Sequence, residues 1–251
     1  MTSSSDLQQQ DLVVFEDRSV LPKSDPGYTY CTLVLYKAST RPTWLNVALV
    51  ENSLFGTCYV NKTPVSDRST APVVFASLST DETTYRKQMA RLKGDLAGFK
   101  YVDLFNSYQD WYTKIMLEVD RQSKLGRPNV FIENPEFLLF LTDITVDKLL
   151  AQLRKLNTKC NLFLISSNDE SLMEYSDSPN DLATIHATFL TKLAHRSSLI
   201  FFLRPLRTGR AEDVTGELTI GRGLIGSPKK IVEREYLYLI NKEGNVKLFY
   251  R

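Results

Sequence analysis

Two apolar rhythms alternate along the chain. Short unbroken runs of β-forming residues are followed by stretches in which apolar residues return every three or four positions. Cys31, Leu33, Val34, Leu35 and Tyr36 make one such run, and Trp44, Val47, Ala48, Leu49, Val50 and Leu54 recur after it at helical spacing. The alternation continues with a strand at Val73–Leu78, a helix over 81–96 with Asp81 as N-cap, and a strand at Lys100–Phe105. A helix over 107–124 ends before Gly126, and a fourth strand at Asn129–Glu133 is stopped by Pro135. Helical spacing then runs to Asn157 with a break near Asp143, followed by a fifth strand at 160–166 and a helix over 182–196. The tail changes character. Residues 198–206, 216–223, 234–241 and 245–251 all read as strands, with NKEGN (241–245) as the turn between the last two.

Strands alternating with helices predict an α/β fold: a mostly parallel sheet flanked by helices, with a C-terminal antiparallel extension. A polar, disordered tail over 1–10 precedes a single domain over 11–251. The segment Lys37–Thr43 (KASTRPT) connects the first strand to its helix, where nucleotide-binding α/β proteins place a phosphate loop. Such a loop needs glycines, so that backbone N–H groups can close round an anion, and a lysine at the helix entry. This one has no glycine, Pro42 removes a donor, and Lys37 stands at the strand end. The fold therefore lacks a phosphate loop.

Composition is that of an ordinary globular protein, with 43% hydrophobic and 24% charged residues and a net charge of +2, which excludes a polycation. No signal-peptide core and no apolar run near the ~20 residues of a membrane span is present, so a membrane partner is not expected and a soluble, intracellular protein is. Cys31, Cys58 and Cys160 form no metal-ligand or disulfide pattern, and Cys31 and Cys160 lie in apolar runs that predict inert burial. His186 and His195 are nine positions apart, which is not ligand spacing, and no nucleophile motif accompanies them. His186 is expected to be packed or superficial. Glu133 ends a strand where phosphate-loop enzymes keep a magnesium or water-orienting carboxylate. Without the loop, Glu133 or Glu136 is expected to sit near helix-terminal N–H groups instead. No catalytic, cofactor or metal site follows.

Charge is uneven. Residues 192–230 carry +5 and the remainder −3. Arg204, Arg207, Arg210, Arg222, Lys229 and Lys230 in that segment are candidates for contact with RNA phosphate or acidic partners. By contrast, the loops after the fourth and fifth strands contain no Lys or Arg, and residues 166–181 carry five acids.

Five strings, in order, resemble the family of the sixth Elongator subunit: QDLVVFEDRSVLP (10–22), RPTWLNVALVE (41–51), FIENPEFLLFL (131–141), RPLRTGRAEDVTGELTIGRG (204–223) and REYLYLINKEGNVKLFYR (234–251). The resemblance implies a RecA-like fold in a hetero-hexameric ring, two copies each of this chain and the fourth and fifth Elongator subunits. It implies docking onto the larger Elongator subunits, tRNA binding through the assembled ring, and support of wobble-uridine (U34) modification in cytoplasm and nucleus. Any ATP would be held by neighbouring subunits, and an arginine of this chain could reach it. Ring neighbours contact each other head to tail, and such interfaces centre on aromatics and arginines, so Tyr236, Tyr238, Phe249 and Tyr250 are candidate interface residues. Two alternatives remain for the same residues: an ATPase with an irregular phosphate loop, and a recombination-mediator paralogue.

Overall fold

The computed structural model describes residues 8–22, 25, 27–64, 69–92, 94–173, 178, 181–209, 211 and 213–250. Its sheet has ten strands, and six of them are mutually parallel: β2 (Cys31–Tyr36), β3 (Val73–Ser77), β4 (Phe99–Asp103), β5 (Asn129–Glu133), β6 (Asn161–Ser167) and β7 (Leu199–Arg204). From β7 the sheet continues antiparallel through β8 (Gly216–Arg222), β9 (Arg234–Ile240) and β10 (Val246–Tyr250) to β1 (Gln9–Gln10). The order across the sheet is β1-β10-β9-β8-β7-β2-β6-β5-β3-β4. This is the mixed α/β plan expected, with the antiparallel strands confined to one side.

The parallel strands are buried on both faces, which is why they read as continuous apolar runs. Alternate residues serve opposite layers. Val34, Phe75, Phe131 and Phe163 face α1 (Thr43–Phe55) and α2 (Glu82–Gln88). Leu33, Val74, Ile132 and Leu164 face α3 (Trp111–Gln122), α4 (Phe137–Leu141), α5 (Val146–Asn157) and α6 (Leu182–Ala194). In the first layer, pairing aligns Tyr101, Phe75, Phe131 and Phe163 on the neighbouring strands β4, β3, β5 and β6. Their rings stack at centroid distances of 6.0, 5.8 and 4.4 Å, and Tyr85 of α2 covers Phe75 at 4.0 Å.

Most element ends have a visible cause. Asp81 caps α2 as expected, accepting from the Thr84 N–H at 3.0 Å. That helix is shorter than its apolar spacing suggests, because Met89–Arg91 tighten into a 3-10 turn. Gly94 then passes so near α1 that a Cβ would lie 2.6 Å from Phe55. Helix α3 begins only at Trp111, since Asp110 before it has a φ of 55°. Helix α1 is buried around almost its whole circumference, under the sheet on one side and the arm Leu12–Leu21 on the other.

The tail expected over 1–10 loses its last two residues to the sheet: Gln9 and Gln10 pair with Phe249 and Leu248. The arm then crosses the extension. Phe15 bridges Ile231, and the Val232 N–H donates to the Val14 carbonyl at 2.8 Å. Residues 1–7 lie outside the described residues.

The aromatic row should dominate stability. Phe131→Ala is expected to cost about 3–5 kcal/mol in urea unfolding, and Phe105→Ala, 54% exposed, within about 0.5 kcal/mol.

Candidate functional site

In open α/β sheets, ligands meet the loops at the carboxyl ends of the parallel strands. Here that crest is formed by the ends of β2, β6, β5 and β3. After β2 the chain makes a 3-10 turn, Ala38–Thr40, rather than a glycine cradle. The turn is occupied from within. The Ala38 N–H donates to Asp169 Oδ1 at 3.0 Å, Ser167 Oγ donates to Asp169 Oδ2 at 2.7 Å, and Lys37 Nζ lies 3.5 Å from Glu170. Thr40 Oγ1 is within hydrogen-bonding distance of the Lys37 and Leu203 carbonyls, both at 3.2 Å. A carboxylate of the β6 loop thus takes the donor that a phosphate loop would turn towards its anion.

Glu133, at the end of β5, is likewise engaged. Ser77 and Ser79 donate to its Oε2 at 2.5 and 3.1 Å. Ser77 Oγ also accepts from the Ser79 and Thr80 N–H groups, so these contacts fasten the β3 and β5 ends together. The expected helix-terminal position falls to Glu136, the residue that precedes α4, although its side chain does not cap the following N–H groups; Glu133 instead serves the strand ends. Glu136 is fully buried behind the crest, accepting at Oε1 from Asn134 Nδ2 at 2.9 Å and from the Ser167 N–H at 3.2 Å. Burial raises its carboxyl above the ordinary 4.5, while Asn134, Ser166 and the charge of His186 oppose the rise. His186 is packed with no exposure, edge-on to Phe140 at 6.1 Å. Tyr36, whose hydroxyl accepts from Asn134 Nδ2 at 2.8 Å, is pushed up to about 12 by burial, with Glu136, Glu133 and Asp169 adding to it.

A cleft of about 470 Å³ opens beside the turn, between Thr40, Trp44, Tyr59, Arg91 and the extension residues Tyr238 and Ile240. Its far wall is bolted by Arg91, which donates to the Gly244 carbonyl at 2.6 Å and lies 5.2 Å over the Tyr59 ring. The cleft is lined by Trp44, Tyr59 and Tyr238 and by two arginines, Arg41 and Arg91. Among the described residues no group of three His, Cys, Asp or Glu gathers as a metal site.

The six basic candidates do not form one patch. Arg204 and Arg207 lie at the crest, whereas Arg222, Lys229 and Lys230 lie towards the opposite end of β7, roughly 17 Å along the strand at ~3.3 Å per residue. Arg210 lies outside the described residues. Most of the others are ion-paired: Arg204 to Glu217 at 2.7 Å and Glu235 at 3.6 Å, Arg222 to Glu233 at 2.8 Å, Lys229 to Asp17 at 2.7 Å, and Lys230 to Glu16 at 2.8 Å. Arg207 is exposed and has no ion pair among the described residues. Four of these acids, Glu16, Asp17, Glu233 and Glu235, come from the arm, from β9 and from the residue before it, outside the 192–230 segment.

Of the aromatic candidates, Tyr236 and Tyr238 have no exposed surface and Phe249 has 4%; Tyr250 exposes 49%. Tyr238 packs on Trp44 at 5.2 Å, and the Tyr236 hydroxyl donates to the Asp11 carbonyl at 3.2 Å. Tyr250 stacks on Tyr236 at 5.9 Å and its hydroxyl accepts from Arg234 at 2.7 Å. Cys160 is buried as expected, but Cys31 is only partly so.

The buried Glu136 fixes a pH dependence. Between the ordinary glutamate range and its raised folded value, the folded chain holds a proton that the unfolded chain has released. Its contribution to stability is therefore full at low pH and lost as pH rises through that raised value. Glu136→Gln keeps the Oε1 acceptor and is expected to flatten the loss in urea unfolding as pH is raised above the ordinary glutamate range, each measured against the parent chain. An unchanged slope would count against it.

No family model matches the chain. Among solved structures it is similar to a DnaB-like replicative helicase described in its interactions with primase, at 11% identity and a TM-score of 0.49, over 84% of this chain and 56% of that one. Among curated proteins it is 32% identical to Elongator complex protein 6 of Saccharomyces cerevisiae, over 98% of this chain and 99% of that relative. With that identity held across nearly the whole of both sequences, the chain belongs to the Elongator complex protein 6 family.

Proposed function

We propose that the chain is a non-catalytic, RecA-like subunit of the Elongator complex. It builds a hetero-hexameric ring with the fourth and fifth subunits, two copies of each. The ring docks onto the larger subunits and binds tRNA in support of wobble-uridine modification, in cytoplasm and nucleus. The observation that carries the reading is the family relationship, 32% identity over 98% of the chain. The turn after β2 supports it: Asp169 and Glu170 engage Ala38 and Lys37, so nucleotide phosphate would meet carboxylates there. Among the described residues no helix is long and apolar enough to cross a membrane.

Within this reading, the exposed Tyr250 is the aromatic candidate for contact with a neighbour, and the buried Tyr236, Tyr238 and Phe249 support it from beneath. The acidic loops at the crest repel phosphate, which leaves tRNA affinity to other subunits and to the exposed Arg207, with Arg204, Arg210, Arg222, Lys229 and Lys230 as secondary contributors.

Native mass measurement after co-expression with the fourth and fifth subunits is expected to give six chains, two of each kind. The purified chain alone is expected to release no phosphate from ATP above background, with Glu133→Gln making no difference. Sustained turnover abolished by Glu133→Gln would establish the ATPase alternative. For RNA, changing Arg204, Arg207, Arg210 and Arg222 to Gln in the assembled ring should weaken tRNA binding. The dependence on salt should become shallower by roughly 0.7–0.9 in log–log slope for each phosphate no longer neutralised. Unchanged affinity and slope would remove these arginines from the RNA path.

A further inference from the structure

At the amino ends of the parallel strands, away from the crest, a second cleft of about 360 Å³ runs between α5 and α6. Leu153 and Leu193 wall it, Cys31 and Leu162 form its floor, and Arg154 and Arg196 stand at its rim. Both guanidiniums are exposed, and neither has a salt bridge among the described residues. Asp147, near the start of α5, feels the charge of Arg196 but gives its ion pair to Lys192 at 2.7 Å. Beyond the cleft the apolar surface continues over the turn after β8, where Leu224 is 69% and Ile225 is 45% exposed. The turn is held in place: the Ile225 N–H donates to the Ser197 carbonyl at 3.1 Å, and a Cβ on Gly223 would lie 1.9 Å from that oxygen.

We infer that this groove is a docking site for an acidic, apolar segment of another subunit of the assembly, with its carboxylates on Arg154 and Arg196 and its apolar side chains against Leu153, Leu193 and Ile225. The inference rests on reading the chain as an assembly subunit. Two observations select the occupant. An apolar floor with two exposed guanidiniums that form no salt bridge among the described residues calls for carboxylate, since bidentate Arg–carboxylate pairing satisfies both geometry and charge. The apolar surface also extends past the cleft onto Leu224, farther than a small molecule of that volume reaches, which favours a chain segment that lies across the turn.

Cys31 reports on the groove directly. Its thiol lies on the floor and is pushed up to about 11 by burial, with Ser197 and Arg196 opposing, so alkylation is slow but measurable at alkaline pH. Cys58 and Cys160 are buried and serve as internal controls. The full chain, alone and in the complex co-purified with the other Elongator subunits, is treated with iodoacetamide and read by mass spectrometry. At least tenfold slower alkylation of Cys31 in the complex is expected. The pair Arg154→Glu and Arg196→Glu should restore the free-chain rate while leaving the six-chain mass unchanged. Arg154→Lys, treated with a carbodiimide, should join to a Glu or Asp of another subunit. Equal alkylation in an intact ring would overturn the groove alone. A link to a second copy of this chain, or protection that survives both charge reversals, would overturn the choice of an acidic partner segment. Failure of any ring to form would overturn the assembly reading, and the inference with it.

Discussion

Register is the constraint on which the rest of the molecule depends, and an aromatic ladder enforces it. Tyr101, Phe75, Phe131 and Phe163 lie abreast on four neighbouring parallel strands. A slip of one residue in any of those strands would turn its ring into the opposite layer, where the apolar faces of α3–α6 already fill the space. The same alignment brings the strand ends level, with Ser77 beside Glu133, Glu133 beside Ile165, and Tyr36 beside Ser167. The polar crest is thus a consequence of packing some way below it.

What the crest does with its alignment is consume its own donors. Glu133 draws in Ser77 and Ser79, Glu136 draws in Asn134 and the Ser167 N–H, and Asp169 draws in Ser167 Oγ and the Ala38 N–H. Each is a charge-assisted hydrogen bond or a buried one, stronger than a neutral surface hydrogen bond. Three carboxylates on four strand ends tie the loops to one another. An edge that elsewhere stays open to an anion is here closed by its own acids, which take up the donors an anion would need.

The class of fold and the succession of elements could be read from periodicity, because strands buried on two faces and helices buried on one leave different spacing in the chain. What escaped was decided by partners distant in sequence. The basic count over 192–230 overlooked Glu16, Asp17, Glu233 and Glu235, which the arm and the start of the β9 region carry to the same places. The tail aromatics were identifiable as strand residues, but only the arm and α1 decide that Tyr236 and Tyr238 face inward. Asp169 gives no local sign of its role, since its donor lies 131 positions earlier. Cys31 sits in an apolar run like Cys160, and only the gap between α5 and α6 distinguishes them.

The pairing of Gln9 with Phe249 joins positions about 240 apart in the chain. Such a contact cannot form on the ribosome until residue 249 has emerged, and loop-closure entropy makes it late even in free refolding. Until then Leu12, Val14 and Phe15 have no complete β9–β10 hairpin to cover, and the underside of α1 stays wet. Newly made chains therefore pass through a stage with a sticky flank, and a chaperone or a sister subunit arriving during synthesis would find that flank before the arm does.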